Sequence, residues 1–156
     1  MKYISTNQIP KILSVNNLVN MKKKLYVSCA LTVVPPDKKE AFWGMVKDIK
    51  RRLSKDFEIL EFKGLDDSTP KEVYDFDIKG CVMRADCMLS VCDYPSLGTG
   101  YEIGTCVEKL GMPVLAVAHK DSIVAKLIKG IDHKNFHFIY YNSVDEIIEK
   151  TLEILK

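Results

Sequence analysis

From Leu25 to the C-terminus, short apolar runs alternate with longer amphipathic stretches, and this alternation restricts the available folds more than any other feature. Leu25 to Ala30 reads as a short buried strand. Pro35 and Pro36 open a loop, and Asp37 can cap a helix running to about Ser54. In that stretch Phe42, Met45, Val46, Ile49 and Leu53 recur at helical spacing, with Lys and Arg on the other face. Phe57 to Phe62 reads as a second strand, and Ser68-Thr69-Pro70 caps a helix reaching Arg84. Cys87 to Cys92 is the third strand and Asp93 to Gly98 a loop of turn formers. A helix from about Gly100 closes at Leu110, with Gly111 as its C-cap signal. Pro113 to Ala118 is the fourth strand, Ser122 to Lys129 a short helix, Phe136 to Tyr141 the fifth strand and Ser143 to Leu155 the last helix.

Such alternation predicts an α/β, single-domain Rossmann-like (flavodoxin-like) fold, a parallel sheet with helices on both faces. Five strands suggest the order 2-1-3-4-5. Ligands of such sheets bind beyond the C-terminal strand ends, where the strand order reverses. Here that crevice lies between the loops after strands one and three, which begin near Ala30 and Asp93. The 156 residues fit one domain, placed at 21–156. Residues 1–20 are polar and Asn-rich, and Met21-Lys22-Lys23-Lys24 looks like a second start, so 1–20 is expected to be an appendage; a docked helix is the alternative.

Bulk properties exclude several classes. A net charge of +2 is too small to argue for nucleic acid or a membrane surface. No apolar run approaches the ~20 residues of a membrane span, and Lys2 and Lys11 flank no signal-peptide core. Five cysteines, an odd number without a C-x-x-C pair, fit a reducing, cytoplasmic setting.

The loop after strand three, Pro95-Ser96-Leu97-Gly98-Thr99-Gly100-Tyr101-Glu102, therefore carries the argument. Ser96, Gly98 and Gly100 give an open backbone before a helix, able to offer N–H groups to an anion. The spacing Gly98-x-Gly100-x-x-x-Gly104 is one residue too long for the dinucleotide fingerprint and follows the wrong strand, and the Lys of a P-loop is missing. Glu102 is expected in the first helical turn, kept ionised by helix-end N–H groups and able to attack an anomeric carbon. A first-turn Glu that merely complements the helix dipole is the other reading.

The run from Ala85-Asp86 through Ser96-Leu97-Gly98-Thr99-Gly100-Tyr101-Glu102 to Gly104, followed by Gly111-x-Pro113-Val114, resembles the nucleoside 2-deoxyribosyltransferase superfamily. It looks closest to the branch of 2'-deoxynucleoside 5'-monophosphate N-glycosidases. The resemblance covers about residues 24 to 130 and is strongest at 85–114. It implies that Glu102 is the nucleophile and that Ser96 binds a 5'-phosphate, where the transferases carry an Asp. It places Tyr26 near sugar and nucleophile, a core tyrosine being the other reading. It makes Asp77 the proton donor to the base, although Asp77 stands one residue farther from Ala85-Asp86 than its counterpart, and Asp75 is close by. Gly98 and Gly100 shape the substrate loop. Ala30 and Thr32 occupy the first-loop places where the hydrolases hold a phosphate-clamping Ser and Arg, and a phosphate Ser donated by a neighbouring subunit falls at Ala125. Lys38, Lys126 and Lys129 are candidate substitutes for the lost charge.

Other constellations are weaker. His133 and His137 have zinc-like spacing but no third ligand nearby. Cys29 and His119 end strands one and four, and a Cys/His nucleophilic pair is conceivable. Phe42 and Trp43 could stack on a base, with core packing as the alternative for Phe42. The sequence thus predicts cleavage of the N-glycosidic bond of (deoxy)nucleoside 5'-monophosphates or (deoxy)nucleosides through a glycosyl-Glu102 intermediate. A deoxyribosyltransferase and a non-catalytic nucleotide sensor are the alternatives. The chemistry requires no metal or organic cofactor. The resemblance implies a homodimer or larger assembly, with a small-molecule nucleoside or nucleotide as partner.

Overall fold

The computed structural model describes residues 21–61 and 67–156. The expectations for residues 1–20, and for the end of the second strand at Phe62, lie outside these described residues. Five strands form one sheet: β1 (Lys24–Cys29), β2 (Glu58–Leu60), β3 (Cys87–Val91), β4 (Val114–His119) and β5 (Phe136–Tyr141). Every pairing is parallel and the order is β2-β1-β3-β4-β5, as the alternation predicts. In register, Ser28 lies beside Ser90 and Cys29 beside Val91, so the C-terminal ends of β1 and β3 stand side by side at the reversal of strand order.

The helices are α1 (Lys39–Leu53), α2 (Pro70–Tyr74), α3 (Leu97–Gly104), α4 (Lys126–Lys129) and α5 (Val144–Leu155). A sheet covered on both faces needs strands that are apolar throughout, and all five residues of β3 are buried. One core packs Leu25, Val27, Phe42, Ile49 and Leu53 with Leu115, Ile147 and Leu155, joining α1 and α5 to the sheet. The other packs Ile78, Val82, Ile103 and Cys106 against Met88, Val114 and Ala116. No helix among the described residues is long and apolar enough to cross a membrane.

Several element boundaries depart from the sequence reading. Asp37 does not cap α1; Pro36–Lys38 form a 3-10 turn, and no side chain caps the helix. Thr69, not Ser68, caps α2, in a reciprocal capping box with Glu72. The stretch expected as one helix to Arg84 is broken into α2, a π turn over Asp75–Lys79 and a 3-10 turn over Val82–Arg84. Helix α3 starts at Leu97, because the Ser96 hydroxyl accepts a hydrogen bond from the Thr99 N–H, and it continues as a π turn over Thr105–Lys109. The expected Gly111 stop is present, with φ at +60°. The helix expected from Ser122 is limited to Lys126–Lys129.

Candidate active site

Alternation along β1 puts Tyr26 and Ser28 on the same face of the sheet, and both are buried beneath the start of α3. Because α3 begins at Leu97, Glu102 lies in its second turn, not its first, and is only 7 % exposed. Its carboxylate is held from below by β1. Ser28 Oγ donates to Glu102 Oε2, and Tyr26 Oη stands 3.0 Å from Oε1. The same phenol oxygen stands 2.6 Å from Asp77 Oδ1.

The electrostatics of Glu102 invert the expectation drawn from the helix dipole. Burial, and next the neighbouring Asp77 carboxyl, push the Glu102 carboxyl up to about 8. The hydrogen bonds from Ser28 and Tyr26 pull the other way but do not prevail. Orphan N–H groups favour charge only at the first turn, and Glu102 is beyond it. Burial and the two carboxylates likewise raise Tyr26, which stays a neutral phenol. The raised Glu102 carboxyl thus stands one phenol away from a second carboxyl, Asp77.

Asp77 reaches this position from the π turn. There the N–H of Gly80 bonds to the Asp75 carbonyl at 3.0 Å, an i to i−5 closure that takes up one more residue than an α turn. Asp75 points elsewhere: Lys71 and Lys79 pair with it, the latter at 2.6 Å, and hold its carboxyl below the usual range.

Above the carboxyls lies a cleft of about 230 Å³, lined by Tyr26, Asp77, Glu102, Ser96, Gly98 and Thr32 among others. Sequence-predicted residues thus converge here, with two exceptions. Ala30 is fully buried and lines no part of the cleft, and Gly100 lies against a separate apolar cavity. The cleft also holds Lys50, the one cation lining it among the described residues. Lys38 lines a different cavity beside Asp93, and Lys126 and Lys129 do not reach the cleft. Two of these residues were missed from sequence. Ser28 follows Tyr26 at i+2 in a buried strand, a signal that was available. Lys50 sits among the many lysines of α1, and only the packing of α1 beside β1 distinguishes it.

The weaker constellations do not assemble. His119 lies away from Cys29, its ring 5.6 Å from that of Tyr141 and its N–H donating to Asp93 at 2.9 Å. Burial pushes the Cys29 thiol up to about 11, which makes it a poor nucleophile at neutral pH. Among the described residues no three His, Cys, Asp or Glu side chains are placed to hold a metal ion.

The sheet order is that of a five-stranded, all-parallel flavodoxin-like α/β fold, which two solved structures share. Comparison with known proteins places the chain more closely. Over 84 residues it is 40 % identical to a protein of Thermofilum pendens provisionally named 2'-deoxynucleoside 5'-phosphate N-hydrolase 1, covering 53 % of this chain and 57 % of the relative. A protein of Methanococcoides burtonii with the same provisional name is 32 % identical over 62 residues, 40 % of this chain and 49 % of the relative. The chain spans about half the length of the curated relatives it matches. Among solved structures, a CMP N-glycosidase of Clostridium botulinum superposes with a TM-score of 0.65 at 22 % identity, over 85 % of this chain and 100 % of the other. A 2-deoxyribosyltransferase of Leishmania mexicana gives a TM-score of 0.57 at 17 % identity, over 86 % and 99 % of the two chains. No family model matches. In sequence and in fold, the chain resembles the nucleoside 2-deoxyribosyltransferase superfamily.

Proposed function

We propose that this protein breaks the N-glycosidic bond of (deoxy)nucleoside 5'-monophosphates or (deoxy)nucleosides and releases the free base. The observation that carries the reading is the carboxyl pair: Glu102, braced by Ser28 and Tyr26, faces Asp77 across one phenol at the floor of the cleft. In the competent form Asp77 carries a proton and Glu102 the charge. Glu102 attacks C1', the C1'–N bond breaks, and its electron pair leaves with the base. Asp77 gives its proton to the departing base. Water then adds to C1' and frees the sugar from Glu102, with the proton of that water returning to the pair. Were a second base to enter instead of water, the same intermediate would give transfer. The likeness to proteins named N-hydrolase, N-glycosidase and deoxyribosyltransferase supports this chemistry. Ser96, Gly98 and the unpaired N–H groups at the start of α3 would receive a 5'-phosphate.

The active unit is a homodimer or larger assembly on this reading. Leu97, Ile123 and Leu127 are 96 %, 85 % and 81 % exposed around the apolar cavity beside Ser96, a patch of the kind that marks an interface. Five free cysteines suit a reducing compartment such as the cytoplasm.

The test incubates the protein with deoxynucleoside monophosphates and with free deoxynucleosides and separates the released bases. Base release that disappears in Glu102→Gln is the expected result. Tight nucleotide binding with no base release from any substrate would instead favour a sensor.

A further inference from the structure

The catalytic cleft does not end at Glu102. Cys29, Leu31 and Lys50 line it and also line a second groove of about 370 Å³, completed by Trp43, Val46, Lys47 and Glu61. Three shared walls make the two neighbours. The outer groove is mostly apolar, with an indole at its side. Trp43 is 40 % exposed, although an indole on α1 could have been buried as its neighbour Phe42 is. The Lys39 ammonium lies 5.5 Å from the centre of its ring and steadies it.

Lys50 stands at the junction. It is half-buried, and its ammonium forms no ion pair among the described residues. Its positive charge nevertheless reaches inward, lowering the cost of ionising Cys29 and Cys81. Ser96, Gly98 and Thr99, with the helix N–H groups, follow β3, whereas Lys50 and Trp43 lie on α1, which leads from β1 to β2 on the other side of β1. A substrate whose phosphate occupies the Ser96 side turns its base toward Lys50 and Trp43.

We propose that the Trp43–Lys50 groove is the seat of the departing base, and that it selects bases carrying an oxo group, with Trp43 offering a stacking face and Lys50 donating to the oxo oxygen. The identity of the ligand rests on the glycosidic reading above. As the C1'–N bond breaks, the electron pair left on the ring nitrogen delocalises onto that oxygen, where the ammonium stabilises it. An exocyclic amino group in the same place would present hydrogens to a cation, so adenine is disfavoured.

Trp43 is the single tryptophan of the sequence, so its fluorescence reports on this groove alone. The experiment titrates 2'-deoxyinosine monophosphate and dAMP, which differ at the base edge and carry the same phosphate, into Glu102→Gln protein with and without Lys50→Met. Stacking should perturb the indole signal, with the inosine nucleotide binding roughly tenfold tighter. Lys50→Met should reduce that preference to within about twofold, chiefly by weakening the inosine nucleotide. The same loss of discrimination should appear in kcat/KM of the otherwise wild-type enzyme, with Tm as the check on folding. Equal affinity for the two nucleotides overturns the proposal. So does an equal loss for both in Lys50→Met, which would place the ammonium on the phosphate, or binding seen by calorimetry that leaves Trp43 unperturbed. Selective binding without base release from the wild-type protein would sink the glycosidic reading and leave the groove assignment standing.

Discussion

The phenol oxygen of Tyr26 lies 3.0 Å from Glu102 Oε1 while touching Asp77 at 2.6 Å. A phenol has one hydrogen and cannot donate to both carboxyls. One of the three contacts in this chain must therefore be completed by a carboxyl proton. With that proton on Asp77, the phenol accepts from Asp77 and donates to Glu102, which leaves an acid and a nucleophile ready in the same arrangement. Ser28 biases the distribution, since its hydroxyl can donate only to a Glu102 oxygen that is not itself protonated.

Removing the Ser28 hydroxyl should therefore shift the Glu102 titration upward. Glu102 acts as the carboxylate, so the acidic limb of kcat/KM in Ser28→Ala should move to higher pH. Activity at pH 7 should fall about 10- to 100-fold, the worth of a hydrogen bond to a charged group. A pH profile of base release checks this, and an unshifted limb contradicts it.

The raised value for Glu102 has a consequence for stability. Its folded value, about 8, lies above the 4.5 of an ordinary Glu, so the folded chain holds this proton more tightly than the unfolded chain. The stabilisation is complete below about 4.5 and is lost as pH rises toward about 8, by a few kcal/mol. Wild-type Tm should drop by roughly 5–10 °C more across that window than the Tm of Glu102→Gln. Thermal melts of both proteins at several pH values make the comparison, and parallel curves would refute it.

Gly80 closes the π turn that carries Asp77, and a Cβ there would overlap the Phe76 carbonyl. Gly80→Ala should cost about 1–3 kcal/mol and lower base release by displacing Asp77. Gly44, on the exposed side of α1 with open space around it, is the control. Gly44→Ala should raise stability by about 0.5–1 kcal/mol and leave activity unchanged. Chemical denaturation and the base-release assay read both.

If the apolar patch beside Ser96 is the subunit contact, charge within it should break the assembly. Leu97→Glu with Leu127→Glu should elute and sediment as monomer, with an intact sheet by circular dichroism. A wild-type protein that is monomeric at micromolar concentration would remove this part of the account.

Much of the fold was legible because a covered parallel sheet imposes long apolar runs, and β3 and β4 carry them without a polar interruption apart from Ser90. Boundaries were less legible where one side chain decides them. Ser96, read as a substrate group, is also the cap that starts α3 three residues early and moves Glu102 into the second turn. That shift, with burial, reverses the sense of its titration. The π turn at Asp75–Lys79 left no periodicity to read, yet it brings Asp77 to Tyr26. Lys50 became visible only once α1 was packed beside β1, because distance in space carries no signal in a single sequence.

The central claim is a covalent bond between the sugar and Glu102. A fluorine at C2' of the sugar withdraws electrons from C1' and slows release of such an intermediate more than it hinders trapping. Intact-protein and peptide mass spectrometry, after incubation with a 2'-fluorinated 2'-deoxynucleotide, therefore tests it directly. The account predicts a mass gain of one sugar phosphate, located on the peptide containing Glu102 and absent from Glu102→Gln. Base release by a protein that never acquires the adduct, or an adduct on another residue, would contradict it.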